Sequence, residues 1–298
     1  MIKTLRYGLE ALGLCLLLLL FRGLPAQTAS RVGGWLGRTI GPRLAASRKA
    51  RKNLLRAFPD LPLSQQNETL SGMWENLGRL IAEYPHLATL ARAPYTQITG
   101  AEHLRTAQAQ GRGVVCFGGH LGNWEINSAA CLIQLGLPVE ISYRAPNNPW
   151  TDSLLMQART LHGHITAHAK SKSGGKAMMN AVRHGHVLGI LIDQKYNQGL
   201  CVPFFGLPAM TNPFFVQLCQ KYDSALIPIR GVRLHGATFR LEIHPPLSVM
   251  NTDGTPRPVE DIVAEAHTIL EGWITQTPEQ WLWLHRRWKD TPHDNTAL

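Results

Sequence analysis

Short apolar runs typical of strands alternate with longer stretches of helical spacing through most of this 298-residue chain. The predicted strands lie near Gly113–Phe117, Val139–Tyr143, Val187–Ile192, Ala225–Arg230 and Phe239–His244. The predicted helices lie near Trp124–Leu135, Trp150–Leu161, Gly175–His184, Pro213–Tyr222 and Val259–Ile274. This alternation predicts an α/β layered domain with a largely parallel sheet. Leu63 to Leu90 is predicted to be helical, and Tyr196 to Asn212 is the longest predicted loop.

A glycine-rich segment, GGHLGNWE at residues 118–125, follows the first predicted strand. Five helical steps of ~100° would place His120 and Glu125 on different faces of a helix, so the two meet only if His120 precedes it. The three glycines permit such a loop by tolerating positive φ. Asn123 would then cap the helix, and Glu125 would lie in its first turn, where the helix dipole favours a carboxylate.

A histidine beside a carboxylate is a candidate general base. A carboxylate that accepts from one ring nitrogen fixes the tautomer and leaves the other nitrogen free to take a proton. We therefore expect His120 to act as the base and Glu125 to hold its ring, with backbone N–H groups of the turn stabilising an oxyanion. The alternative from spacing alone is a buried histidine satisfied by a glutamate, because pairs this short also arise by chance.

The N-terminus carries an apolar run, Ala11–Phe21, between basic residues at Lys3, Arg6 and Arg22. Its 11 residues are fewer than the ~20 that a spanning helix needs. Positive charge on both flanks favours an anchor or partly inserted helix with the body on the cytoplasmic face. A cleaved signal peptide is the main alternative. The predicted division is a membrane anchor at 1–26, a helical membrane-proximal region at 27–95 and the catalytic domain at 96–298.

The net charge of +10 indicates an anionic partner, either lipid or an acidic carrier protein, and nucleic acid is disfavoured because no zinc-finger or RNP pattern occurs. Five cysteines without a C-x-x-C pair suit a reducing compartment. The sequence contains no H-E-x-x-H helix and no cysteine ligand set, so no metal site is predicted. The absence of a G-x-S-x-G elbow argues against a serine hydrolase.

Further segments follow the glycine-rich turn in order along the chain. They are YRAPNNP at 143–149, Asp193-Gln194, VPFFG at 202–206 and WLHRRWK at 283–289. Together these segments resemble the bacterial lipid A late acyltransferases, the lauroyl and myristoyl transferases of lipopolysaccharide assembly. The resemblance extends from about residue 51 to residue 289.

The resemblance implies a glycerol-3-phosphate acyltransferase-like α/β fold, a layered sheet flanked by helices with an N-terminal membrane-anchoring helix. It implies an O-acyltransferase whose donor is the phosphopantetheine thioester of acyl carrier protein, with no separate cofactor. The implied acceptor is the hydroxyl of a 3-hydroxyacyl chain on a Kdo-bearing lipid A precursor. The implied location is the bacterial inner membrane, among its lipids, with the catalytic domain on the cytoplasmic face.

Four more residues are expected to bind substrate. The resemblance makes Arg159 a candidate for binding a phosphate or the donor, with a solvated helix arginine as the alternative. Asp193 ends a predicted strand, at the edge where open α/β sheets bind ligands, with a loop cap as the alternative. Arg144 and Asn123, each inside a matching segment, complete the set.

Other functions and roles stay open. A glycerolipid acyltransferase of related fold normally carries aspartate in place of Glu125 and a proline-glutamate-glycine motif where residues 191–194 here are LIDQ. Another glycolipid acyltransferase and a non-catalytic lipid-binding protein are further alternatives. The segment at 281–289 is either a headgroup contact or a C-terminal helix with a charged outer face, and VPFFG either lines an acyl channel or belongs to the core.

Overall fold

The computed structural model describes residues 2–289. Its centre is a seven-stranded sheet of order β1-β9-β8-β2-β5-β3-β4. The strands are β1 (Thr96–Thr99), β2 (Val114–Gly118), β3 (Val139–Tyr143), β4 (Thr166–Ala169), β5 (Val187–Leu191), β8 (Ala225–His235) and β9 (Thr238–Ile243). Neighbouring strands are parallel except β8 and β9, which form an antiparallel pair. The prediction of an α/β domain with a largely parallel sheet is confirmed.

Helices cover both faces of this sheet. They are α1 (Ile2–Arg22), α2 (Ala26–Ile40), α3 (Ala46–Ala57), α4 (Leu63–Glu83), α5 (Leu87–Leu90), α6 (Ala101–Ala109), α7 (Glu125–Leu135), α8 (Pro149–Arg159), α9 (Lys172–Arg183), α10 (Phe214–Tyr222) and α11 (Val259–Gln276). Every residue of β2 is buried, with Val115 and Phe117 in one apolar cluster and Val114 and Cys116 in another. A strand buried on both sides is a continuous apolar run, which is why β2 was recognisable in the sequence.

The predicted loop at 196–212 is wrong. Leu200–Phe204 (β6) and Leu207–Thr211 (β7) form a separate antiparallel hairpin, with positive φ at Phe205 and Gly206. Prolines at 203 and 208 resemble loop residues, but a two-stranded ribbon consists of edge strands, where proline is tolerated. Phe204 is fully buried, so this part of VPFFG belongs to the core.

The first helix is longer than the apolar run that predicted it. Residues Thr4–Arg22 are long and apolar enough to cross a membrane, by length and composition alone. Its 21 residues extend about 30 Å, the thickness of the hydrocarbon layer. One side of α1 is a row of exposed leucines at positions 5, 9, 12, 16, 19 and 20. Such a surface is typical of contact with lipid.

The second helix packs closely against α4 through glycines. A Cβ atom at Gly33 would lie 2.4 Å from the carbonyl oxygen of Gly78, and one at Gly37 would lie 2.1 Å from that of Trp74. These glycines weaken the intrinsic helix propensity of α2, yet they allow the close approach of the two helices. Trp35, on the other side of α2, is exposed and available to a membrane surface.

The C-terminal segment Trp281–Lys289 is an irregular strap of turns and bends rather than a helix, which corrects one of the two expectations for it. Trp281, Trp283 and Trp288 are buried in the core, and Arg287 is fully buried. The strap joins the glycine-rich turn through a hydrogen bond from the Leu282 backbone N–H to the His120 carbonyl, 3.0 Å long. The strap therefore packs its tryptophans and Arg287 into the core, while Arg286 and Lys289 are exposed.

Candidate active site

A cleft opens where the carboxyl ends of β2, β5 and β3 meet, the usual ligand-binding edge of an open parallel sheet. His120 follows β2, Gln194 follows β5, and Arg144 follows β3. All three line a cavity of about 160 Å³. The sequence placed each of these residues at a strand end, but the strand order that makes the strands neighbours comes from the fold.

The turn that carries His120 has the predicted form. β2 ends at Gly118 and α7 begins at Glu125, so His120 precedes the helix, and the Asn123 side chain accepts from the Glu125 backbone N–H at 3.2 Å. Only Gly122 has positive φ, at 56°. Gly118 instead provides space, since a Cβ there would lie 2.5 Å from the Ile229 carbonyl oxygen.

His120 pairs with Asp193. Its Nδ1 lies 2.7 Å from Asp193 Oδ1, and its backbone N–H donates to Oδ2 over 2.7 Å. The indole N–H of Trp281 donates to the same Oδ2 over 2.8 Å. Burial alone would raise the pKa of Asp193, but the His120 charge and hydrogen bonds outweigh burial and lower it. A fully buried, ionised Asp193 therefore fixes the orientation of His120.

The expected hydrogen bond between Glu125 and His120 is absent, and this part of the prediction is wrong. Glu125 accepts from Arg159 Nε at 2.9 Å and from Arg159 Nη2 at 2.8 Å, a bidentate ion pair. The Tyr84 hydroxyl also donates to it over 2.8 Å. The first turn of α7 directs Glu125 toward α8, while Asp193 reaches the imidazole from the adjacent strand.

Burial and the charge of Glu125 together shift the pKa values of Arg159 and Tyr84. Burial alone would lower the pKa of Arg159, but the charge of Glu125 reverses that effect and raises the pKa. Burial, followed by the charge of Glu125, raises the pKa of Tyr84. Arg159 therefore keeps its positive charge at any physiological pH, and Tyr84 keeps its proton. The Arg159 Nη1 nitrogen has no hydrogen-bond partner within residues 2–289 and remains available to a ligand.

Trp124 connects the two groups. Its ring lies 4.9 Å from the His120 ring in an edge-to-face arrangement, and its indole N–H donates to Glu125 over 3.0 Å. The imidazole and the Glu125–Arg159 pair therefore border one cleft from fixed positions. No sequence spacing predicted this contact, although Trp124 lies inside the glycine-rich segment.

The second ring nitrogen of His120 faces Gln194 and His285. The Gln194 side-chain nitrogen lies 3.4 Å from His120 Nε2 and 3.3 Å from His285 Nε2. The two imidazole rings lie 4.6 Å apart. Burial, followed by the neighbouring charge of His120, lowers the pKa of His285 to about 4, so His285 is neutral at pH 7. In the sequence, His285 is part of a basic segment, and no local pattern places it beside His120.

Three backbone N–H groups of the glycine-rich turn, which we expected to bind an oxyanion, have partners within the protein. The N–H of His120 donates to Asp193, that of Leu121 to the Gly119 carbonyl, and that of Gly122 to the Gln280 carbonyl. Each of these donors is already used within the protein. The N–H groups of His120, Leu121 and Gly122 therefore do not form the expected oxyanion site.

The remaining expected substrate ligands divide into two kinds. Arg144 is exposed at the cleft, and Lys170, which sequence analysis missed, lies beside it at the end of β4. Partial desolvation, opposed by Asp193 and assisted by Arg144, lowers the pKa of Lys170. Asn123, in contrast, is fully buried and donates to Glu83 over 2.8 Å. The prediction that Asn123 contacts substrate is therefore wrong, since both ends of its amide support the turn.

Below the charged mouth, the cavity is apolar. Cys116, Cys131, Val139, Val187 and Ile229 form its deep wall. An apolar interior with a few convergent polar groups is typical of a small-molecule site. Among residues 2–289, no group of three or more His, Cys, Asp or Glu side chains could hold a metal ion.

Comparison with known proteins agrees with this arrangement. The bacterial lipid A biosynthesis acyltransferase model matches residues 1–290. The chain is 28% identical to a lipid A biosynthesis lauroyltransferase of Escherichia coli (strain K12), over 96% of this chain and 93% of the relative. It is 26% identical to the palmitoleoyltransferase of the same strain, over 98% and 95%. A lipid A biosynthesis acyltransferase of Haemophilus influenzae is 26% identical, over 90% and 83%. From its N-terminal helix to its C-terminal strap, the chain belongs to the bacterial lipid A biosynthesis acyltransferase family.

Proposed function

We propose that this acyltransferase moves a fatty acyl chain from an acyl-carrier-protein thioester to the hydroxyl of a 3-hydroxyacyl chain on a lipid A precursor. One observation carries the proposal. His120 is oriented through Nδ1 by a buried carboxylate, and it lies at the mouth of a cavity that is cationic outside and apolar inside. A base, an anion-binding rim and an apolar interior are what hydroxyl acylation with a lipid-like donor requires.

In the proposed reaction, Nε2 of His120 takes the proton of the acceptor hydroxyl as the oxygen attacks the thioester carbonyl. The C–O bond forms, and a tetrahedral oxyanion results. When the intermediate collapses, the C–S bond breaks and the thiolate of the carrier takes the proton from the imidazolium. Asp193 stabilises that imidazolium through the Nδ1 hydrogen bond. Within residues 2–289 neither ring nitrogen of His120 has a serine or cysteine partner, which supports direct transfer.

Glu125 is assigned a different catalytic role from the one predicted. By holding Nε and Nη2 of Arg159, which lines the cleft, it would leave Nη1 of that guanidinium for substrate. Arg159 would bind the oxyanion or a substrate phosphate there, and Arg144 and Lys170 would add positive charge at the rim. A guanidinium held in advance needs little reorganisation during the reaction.

The deep wall of the cavity is proposed to receive part of an acyl chain. Gly189, in the middle of β5, lines the same cavity. A glycine inside a strand commonly marks a place where a ligand approaches the backbone closely. The exposed apolar side of α1 supports anchoring in the inner membrane, with basic residues near both helix ends favouring a catalytic domain on the cytoplasmic face.

The flanked parallel sheet supports the glycerol-3-phosphate acyltransferase-like fold as a proposal. The division into a membrane anchor at 1–26, a helical region at 27–95 and a catalytic domain at 96–298 stays a prediction. Acyl carrier protein as the donor and partner is favoured by the positive charge of the chain, because an acidic carrier would bind near the cationic rim of the cleft.

The test is transfer of radiolabelled acyl chains from a panel of acyl-carrier-protein thioesters to a Kdo-bearing lipid A precursor. Membranes would carry wild type or His120→Ala at equal protein level. We expect transfer by wild type alone, with the preferred donor revealing the chain length. Transfer by wild type to lysophosphatidate but not to the lipid A precursor would overturn the acceptor and favour the glycerolipid alternative.

A further inference from the structure

A second cavity lies between the first helix and the catalytic body. Its volume is about 760 Å³, within the range of ligand-binding pockets. Its walls come from α1, from the segment after α4, from α7 and from α8 with the turn that follows it, and they include Leu18, Tyr84, Leu132, Ala158 and Leu161. It shares no lining residue with the catalytic cleft. We call this cavity the α1 groove.

The helix that forms one wall of the α1 groove is fixed at both ends. Near its start, the Asn148 side chain donates to the Tyr7 carbonyl over 2.9 Å and to Glu10 over 3.1 Å. Near its end, His86 Nε2 lies 2.9 Å from the Phe21 carbonyl oxygen. Between these attachments the groove remains open, so it is a gap bounded by fixed walls.

The α1 groove combines an apolar wall with cationic residues. Leucines, isoleucine and alanine form most of the lining, whereas Arg22 and Arg92 contribute guanidinium groups. Arg22 ends α1, which is the level at which an anchoring helix would leave the apolar layer. Both arginines are exposed, and neither has a hydrogen-bond or ion-pair partner among the side chains that the structure describes. They are available to an anion.

We propose that the α1 groove binds one acyl chain of an anionic glycerophospholipid, with the lipid phosphate at Arg22 and Arg92. A lipid without net charge would leave the positive charge of the two arginines uncompensated. A free phosphate would leave the apolar wall uncovered. The lipid comes from the bilayer, because the exposed leucines of α1 border the groove region. We take this lipid to be distinct from the reacting acceptor, because the groove and the cleft share no lining residue.

Tyr84 connects this lipid to catalysis. Tyr84 lines the α1 groove, while its hydroxyl donates to Glu125 and accepts from Arg159 in the catalytic cleft. A chain in the groove would pack against the side of Tyr84 and restrict its motion. The bound phospholipid would thereby help to hold the Glu125–Arg159 pair in place.

The experiment counts lipids retained by the detergent-purified full chain, by native mass spectrometry after incubation with phosphatidylglycerol or phosphatidylcholine. We expect one phosphatidylglycerol per chain and little phosphatidylcholine. In R22Q/R92Q, retention should fall roughly fivefold for each arginine removed, because one cation near a membrane surface strengthens the binding of an anionic lipid by about that factor. Ala158→Trp should fill the groove and exclude the lipid. Matched controls outside the groove are R31Q/R48Q and Leu9→Trp.

Three results of this experiment would overturn the proposal. Equal retention of phosphatidylglycerol by wild type and R22Q/R92Q would overturn the proposal, and so would equal retention of the two lipids by wild type. If R22Q/R92Q keeps phosphatidylglycerol but shows a raised KM for the glycolipid acceptor, the groove is an acceptor subsite and the proposal fails. Because lipid retention needs no turnover, the result does not depend on the proposed reaction.

Discussion

Two buried carboxylates border the catalytic cleft, and their partners differ. Asp193 accepts from the indole of Trp281 and holds a histidine, whereas Glu125 accepts from the indole of Trp124 and holds an arginine. Imidazole side chains commonly transfer protons in catalysis, whereas a guanidinium keeps its protons in proteins. This difference supports the proposal that the Asp193 pair transfers a proton and the Glu125 pair binds negative charge.

The largest expected effects come from the Asp193 pair. Asp193→Asn would keep the shape of the side chain but favour the wrong imidazole tautomer and leave the imidazolium without its counter-charge, so we expect kcat to fall roughly 10³- to 10⁴-fold. His120→Ala should lose at least as much. Steady-state acyl transfer measures both, and equal thermal melting of variant and wild type controls for folding. Near-normal kcat in Asp193→Asn would contradict the orienting role of Asp193.

Substitutions in the Glu125–Arg159 pair should lower both stability and kcat/KM. Glu125→Gln removes one member of a buried ion pair, a change that typically destabilises by about 3–5 kcal/mol, and it releases the Arg159 guanidinium. We expect kcat/KM to fall about 10²-fold, the cost of losing one positioned donor. Arg159→Lys, which cannot make the bidentate contact, should behave similarly.

The shape of the pH profile separates the two carboxylates. The acidic limb of kcat/KM reports protonation of the base, so Glu125→Gln should lower the profile without moving that limb. Asp193→Glu, which keeps a carboxylate in altered geometry, should move it. A displaced acidic limb in Glu125→Gln would contradict the division of roles between the two carboxylates.

Substitution in the deep wall of the cavity, which is proposed to receive part of an acyl chain, should have a smaller and more selective effect. A Cβ at Gly189 would lie 3.5 Å from the Ile141 side chain, an ordinary contact, so a side chain fits but occupies the cavity. We expect Gly189→Val to shift donor preference toward shorter chains by roughly tenfold, the value of one or two methylenes in an apolar pocket. Gly189→Ala should shift it less. Competition between donors of different length measures the ratio, and an unchanged ratio would place the chain elsewhere.

Local sequence signals recovered the strands and helices near the cleft because each has a clear apolar period. The predicted bounds of Val139–Tyr143 match β3, and the helix beginning at Glu125 follows from the glycine-rich turn and Asn123. Short edge strands such as β1 and β4 were missed because four residues give too little periodicity.

The pairing of side chains was harder to predict because it depends on strand order. Nothing in the spacing of His120 and Asp193 shows that β2 and β5 are neighbours, whereas Glu125 is close in sequence and attracted the assignment. The strap was misjudged for a related reason. Trp281 and Arg287 belong to a polar-looking segment, but they are buried by contacts with distant elements, including the Met210 carbonyl that accepts from Arg287 at 2.9 Å.

The smallest predicted effect concerns stability in acid. Burial, followed by the charge of Arg287, lowers the pKa of His267 from an ordinary value of 6.5 to about 4, and His285 is lowered to about 4 as well. Between these values the unfolded chain binds protons that the folded chain does not, so the free energy of unfolding falls as pH drops from about 6.5 to about 4. At pH 5, each histidine should lower the free energy of unfolding by on the order of 1 kcal/mol.

Apparent melting temperature in detergent, followed between pH 7 and pH 4.5, measures this effect. His267→Gln removes a proton-binding site from the unfolded chain and should flatten the curve, whereas His162→Gln, at an exposed position, should leave its slope unchanged. The Asp193 carboxylate itself changes stability with pH only below the ordinary pKa of an aspartate, because its pKa is lowered in the folded state. A wild-type curve that is flat across this window would show that His267 and His285 take up protons without unfolding.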